Sequence, residues 1–186
     1  RLMPGAKNRT LGLVGFGGIG TEVAKRAVPF GMKVIYFCRH PNPADDAAYG
    51  VQSVSMEELL KESDYVVAAV PLTDQTFHLF NEECIAQMKA GSVLINIARG
   101  PVVDEEALAQ ALASGHLGGC AVDVFPKEPC TDSVLTRYSN ALLTPHSATS
   151  TAENSKATNF AAANNLVNYL KKDIDAKYVV VQGTRY

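Results

Sequence analysis

Thr10-Leu11-Gly12-Leu13-Val14-Gly15-Phe16-Gly17-Gly18-Ile19-Gly20 is the stretch on which the fold turns. Thr10 to Val14 is a short apolar run, and a G-x-G-x-x-G turn follows it directly. Beyond the turn, Thr21 to Phe30 has apolar residues at 23, 24, 27, 28 and 30, one face of a helix that Gly31 ends. A strand feeding a helix through this turn suits a dinucleotide pyrophosphate. Gly15 allows the tight turn, Gly17 lets backbone approach the phosphates, and Gly20 lets helix and strand pack closely. The helix start adds unpaired N–H groups and the positive end of its dipole. The strand–turn–helix setting favours dinucleotide binding over a bare glycine-rich turn.

The same alternation continues outward. Lys33–Phe37 is a second strand, and Pro41, Asn42 and Pro43 then break regularity. Ser55-Met56-Glu57-Glu58 reads as a capping box opening a short helix that ends before Asp64. Tyr65–Val70, Val93–Ile97, Gly119–Val124 and Ala141–Leu143 read as further strands, with a helix from Asp104 to Ser114 stopped by Gly115. Residues 151–172 form an Ala/Asn-rich helix with Phe160, Ala163, Leu166, Val167 and Leu170 on one side, and Tyr178–Val181 is either a last strand or chain leaving for a second domain. Strands apolar on both faces, alternating with helices, specify a parallel sheet covered on both sides. Right-handed crossovers make it an α/β, doubly wound domain.

Composition narrows the function. The 186 residues hold 17 Lys and Arg against 19 Asp and Glu, a net charge of −2, which argues against a nucleic-acid or anionic-membrane binder. Hydrophobic residues make up 47% and charged residues 19%, enough for a globular core. No apolar run approaches the roughly 18 residues of a membrane span. The first residues carry no apolar signal core and do not begin with Met, so a domain cut from a longer chain is expected. Cys38, Cys84, Cys120 and Cys130 form no CxxC pair and no metal-binding cluster. Cys38 and Cys120 are expected as buried free thiols in a reducing compartment.

The end of the second strand selects the dinucleotide. An NAD site places Asp or Glu there, about 20 residues past the glycines. Cys38, Arg39 and His40 stand there instead, with no acid before Asp45. A carboxylate would repel a 2′-phosphate, whereas an arginine beside a neutral residue pairs with it. NADP is therefore the expected cofactor, and NAD the alternative if Arg39 is only a solvated cation. Ligands of open α/β sheets bind beyond the carboxyl ends of the strands. Arg99 follows the strand Val93–Ile97, Glu128 follows Gly119–Val124, and His146 follows Ala141–Leu143. Singly these are a surface cation, a loop carboxylate and a capping group. Together they supply an anion clamp, a carboxylate and a proton donor at one sheet edge.

Five ordered motifs carry a family resemblance: Gly15–Gly20, Val70-Pro71-Leu72-Thr73-x-x-Thr76, Ile95-Asn96-Ile97-Ala98-Arg99-Gly100, Asp123-Val124-Phe125-x-x-Glu128-Pro129 and Thr144-Pro145-His146. In this order and spacing, from about Asn8 to Leu170, the chain resembles the coenzyme-binding domain of the D-isomer-specific 2-hydroxyacid dehydrogenases. The surroundings of Arg39 most resemble the glyoxylate/hydroxypyruvate reductase branch. The resemblance implies a Rossmann-type NAD(P)-binding domain over residues 1–186, with the family's substrate domain absent from this chain. It implies an oxidoreductase that moves a hydride from NADPH, or NADH, to a small 2-keto acid, giving the D-2-hydroxy acid. It assigns Arg99 to the substrate carboxylate, His146 to proton donation and Glu128 to His146 as partner. It places Asp123 near the nicotinamide and Val70, Pro71, Ile97 and Ala98 along the cofactor. Gly15, Gly17, Gly18, Ile19, Gly20, Arg39, His40, Pro41 and Thr76 complete the implied cofactor contacts. No metal is implied, and the full-length protein is expected to be a cytoplasmic homodimer. The chemistry agrees: ketone reduction needs a hydride and a proton, and a histidine beside a carboxylate can deliver the proton.

Transcriptional corepressors similar to this family keep the same residues, so a dinucleotide-sensing binding protein is the alternative from another class. A phosphite dehydrogenase-like enzyme is a further one. Formate dehydrogenases resemble a Gln at the place of Glu128, which counts against them. After His146 the chain reads Ser147-Ala148-Thr149-Ser150-Thr151, where many family members have a Gly-containing segment.

Overall fold

The computed structural model describes residues 5–175, so the Tyr178–Val181 run lies outside the described residues. Seven strands, β1 (Thr10–Val14), β2 (Lys33–Phe37), β3 (Gln52–Ser53), β4 (Tyr65–Ala68), β5 (Val93–Asn96), β6 (Gly119–Val122) and β7 (Ala141–Leu143), form one sheet. Their order is β3-β2-β1-β4-β5-β6-β7, and every pairing is parallel. The order reverses between β1 and β4, which is where a doubly wound sheet opens its crevice.

Alternate residues of a strand face opposite sides, and here they enter two separate cores. Val66 and Ala68 of β4 join Leu59 and Leu60 of α3 (Met56–Glu62), Ile85 of α4 (Glu82–Ala86) and Leu108 of α5 (Glu105–Ala113). Val67 of β4 and Leu11, Leu13, Val34 and Tyr36 of β1 and β2 join Ala24 and Ala27 of α1 (Gly18–Ala27). The inner strands β1 and β4 thus bury both faces, whereas the edge strands β3 and β7 have no buried residue and β7 leaves Leu142 exposed.

Several elements differ in extent from the sequence reading. Helix α1 begins at Gly18, so the last glycines of the turn are its first turn, and Val28–Phe30 closes as a 3-10 turn. Strands β4, β5 and β6 stop one or two residues early, because their last residues leave the sheet to build the loops at its carboxyl edge. The Pro41-Asn42-Pro43 break in fact starts a helix, α2 (Pro43–Tyr49): Asn42 caps it and Pro43 takes the first-turn place that needs no N–H. Helix α4, capped by Asn81, also went unread. The Ser55 hydroxyl accepts from Glu58 N at 3.1 Å, as expected of the cap. Asp104 caps α5 through Glu106 N and Ala107 N.

Residues up to His146 form one compact unit, and Ser147 onward a second. In the second, α6 (Ala152–Leu170) is capped by Thr151, whose hydroxyl accepts from Asn154 N. No helix among the described residues is long and apolar enough to cross a membrane.

Candidate active site

The glycine turn is built as its spacing demands. Gly15 has φ +102, and a Cβ there would meet Ala69 O at 2.4 Å, while one on Gly20 would meet Gly15 O at 2.4 Å. By contrast, a Cβ on Gly17 or Gly18 would find open space. Side-chain oxygens cap helices α2 to α6, yet Gly17, ahead of α1, gives that helix no side-chain cap. Its first N–H groups and positive dipole end therefore face the opening, where an anion would satisfy them. A cleft of about 520 Å³ extends from this turn, with Gly15, Gly17, Arg39, His40, Val70 and Pro71 among its walls. A nicotinamide dinucleotide fits what this turn and cleft supply.

The expected cofactor residues fall partly on this cleft and partly away from it. Ile19, in the first turn of α1, is exposed beside the glycines. Thr76 lines the cleft, but its hydroxyl donates to Pro71 O at 2.7 Å and accepts from Thr73 N at 2.8 Å, knitting the 71–76 loop. Pro41 is exposed ahead of α2 and is not among the cleft walls. Ile97 is half-buried, and Ala98 is buried in the core. Cys38 is a correction: it lies half-buried on the cleft wall rather than in the core. Cys120 is buried as expected, and burial pushes its thiol up to about 11.

The carboxyl edge brings the chemical residues together. The His146 Nδ1–H donates to Glu128 Oε2 at 2.7 Å. Glu128 Oε1 accepts from Phe125 N at 2.9 Å, so its carboxylate is held from both sides. The hydrogen bond from His146, then that from Phe125 N, with smaller attraction from His146 and Arg99, holds the Glu128 carboxyl below the usual glutamate range. His146 and Glu128 border a cavity of about 270 Å³ that Phe125, Leu143 and Pro145 also line. Arg99, exposed, follows β5 and donates from Nη1 to Ala98 O at 2.7 Å.

Two supporting residues escaped the sequence reading. Asn96 is 1% exposed; its amide donates to Arg99 O at 3.1 Å and accepts from Ala98 N at 3.0 Å, bracing the backbone that bears Arg99. The signal was a polar residue in an otherwise apolar strand, since a buried amide must find partners. Gly100 is the second: a Cβ there would meet the Phe125 and Pro126 backbone at 2.0–2.4 Å. Only a bare Cα lets the loop bearing Glu128 lie against the loop bearing Arg99.

An all-parallel doubly wound sheet, with an uncapped glycine-led helix at its switch point, defines a Rossmann-type domain that binds a nicotinamide dinucleotide. The chain belongs to the D-isomer-specific 2-hydroxyacid dehydrogenases, with residues 2–148 matching the family's NAD binding domain. The glyoxylate reductase of Thermococcus litoralis is 42% identical over 175 residues, covering 94% of this chain and 53% of that protein. The hydroxypyruvate reductase of Thermotoga maritima is 46% identical over 149 residues, covering 78% of this chain and 47% of that protein. The crystal structure of a glyoxylate reductase from Paecilomyes thermophila superposes with a TM-score of 0.86 at 39% identity, covering 92% of this chain and 52% of that one. The chain spans about half the length of the relatives it matches.

Proposed function

We propose that this chain is the coenzyme-binding part of an NADPH-preferring reductase that converts a small 2-keto acid, such as glyoxylate or hydroxypyruvate, to its D-2-hydroxy acid. The observation that supports it best is the 2.7 Å His146–Glu128 pair on the same sheet edge as Arg99 and the glycine turn. The bound nicotinamide supplies the hydride. The planar fork of Arg99 takes the substrate carboxylate. With Nδ1 turned to Glu128, His146 offers Nε2 to the keto oxygen and gives up its proton as the alkoxide forms, while Glu128 stabilises the imidazolium. Asp123 faces the nicotinamide end, and Arg39 takes the 2′-phosphate. Relatives named glyoxylate and hydroxypyruvate reductase support the substrate class. In the full-length protein, a cytoplasmic homodimer on this reading, a substrate domain outside these residues closes over the keto acid.

The test is turnover by the full-length protein. It should oxidise NADPH with glyoxylate or hydroxypyruvate, and His146→Ala should slow turnover by about 10²–10⁴-fold while leaving NADPH affinity nearly unchanged. Tight dinucleotide binding without turnover of any 2-keto acid would replace the reductase by a dinucleotide-sensing protein.

A further inference from the structure

Thr144 makes three contacts at the carboxyl edge. Its hydroxyl donates to Asp123 Oδ1 at 2.5 Å. Its N–H donates to Val122 O at 3.0 Å, extending the β6–β7 pairing by one rung. Its carbonyl accepts from His146 N at 3.1 Å, closing a tight bend about Pro145. That bend leaves His146 with φ +51, a left-handed conformation that a non-glycine residue holds only when its surroundings impose it. From this bend the imidazole reaches Glu128. Asp123 is tied in turn to β5, since its N–H donates to Asn96 O at 3.1 Å. One half-buried threonine therefore joins the strand end bearing Asp123 to the turn bearing His146.

From this geometry we infer that Thr144 is a positioning residue: its hydroxyl sets the Asp123 carboxylate toward the nicotinamide end of the cofactor, while its carbonyl sets the turn that aims His146. This rests on the proposed reading of Asp123. A short hydrogen bond from a β-branched side chain with few rotamers narrows the orientations open to the Asp123 carboxylate. The hydroxyl then acts on the nicotinamide half of the dinucleotide and leaves the adenosine half alone, because the Arg39 cleft lies across the sheet at β1, β2 and β4.

The experiment titrates the 186-residue chain with NADPH and, separately, with 2′-phospho-ADP-ribose, which lacks the nicotinamide. Thr144→Val keeps the shape and removes the hydroxyl; it should weaken NADPH about tenfold, as expected for a lost hydrogen bond to a charged group, and leave 2′-phospho-ADP-ribose within about twofold. Thr144→Ser should restore most of the NADPH affinity, and Thr144→Ala replaces the valine variant if that one does not fold. Equal weakening of both ligands, or of neither, overturns the inference. Asp123→Asn separates the two levels. Weaker NADPH binding in Asp123→Asn but not in Thr144→Val removes Thr144 and leaves Asp123 in its role. Unchanged binding in both removes Asp123, and Thr144 with it.

Discussion

Arg39 and Glu128 are exposed, and the role proposed for each rests on its charge. Cys38 stands where an NAD-selective site keeps a carboxylate, so nothing at that position opposes a 2′-phosphate reaching Arg39. Arg39→Ala should weaken NADPH by about 1.5–3 kcal/mol and leave NADH nearly unchanged in parallel titrations. Equal losses would exclude Arg39 as the reader of the 2′-phosphate. For Glu128 the sign follows from its lowered pKa. A carboxyl held low stays charged in acid where an ordinary glutamate takes up its proton. Its hold on His146 is thus complete above the ordinary glutamate range and is lost only as pH falls through the lowered value. An NMR titration of the Glu128 carboxyl should give a midpoint below 4.5, moving back toward that value in His146→Ala. A midpoint indifferent to His146 would break the pair.

The strands are long enough to pair and short enough to leave their last residues free. Val124, Ile97 and Val70 continue the apolar runs of β6, β5 and β4, yet lie beyond the strand ends, in the loops that build the site. Gly100 makes two of these loops meet. Gly100→Ala would force the Phe125–Pro126 backbone away and should destabilise the chain by about 1–3 kcal/mol in urea unfolding, the range for an overpacked contact. A change near zero would mean that the loops separate without cost. Among the helices, α3 and α5 were readable from their caps, since Ser55 and Asp104 bond N–H groups two or three residues ahead. Helix α2 was hidden behind two prolines, although Asn-Pro before a short Ala/Asp run is itself a start signal.

On the proposed reading this chain forms the cofactor side of the reaction, and Arg99, Glu128 and His146 all stand exposed. Water at these groups keeps the dielectric high and weakens the grip of Arg99 on a carboxylate. Orienting the ketone can account for about 7–11 kcal/mol of a barrier, and an open edge does not orient it. The isolated 186-residue chain should therefore bind NADPH in a fluorescence titration and oxidise it at the background rate with glyoxylate or hydroxypyruvate. Enzyme-like rates from this chain alone would show that no further wall is needed.

The α/β class, the glycine turn and the residues at the sheet edge were legible in the chain, because each depends on local pattern. Apolar runs of strand length, a helical period after Gly20 and polar residues at strand ends need no knowledge of what packs on them. Contacts between segments far apart in sequence follow another logic. The 2.7 Å His146–Glu128 bond and the Gly100 contact join loops that follow three different strands. Thr144 shows the difference most plainly. As a letter it is a small polar residue before Pro145. The role inferred for it rests on a contact between two strand ends: the β6–β7 pairing sets its hydroxyl 2.5 Å from Asp123 Oδ1. Register is settled when the apolar faces of all the strands pack into the two cores together, so it cannot be read at Thr144 itself.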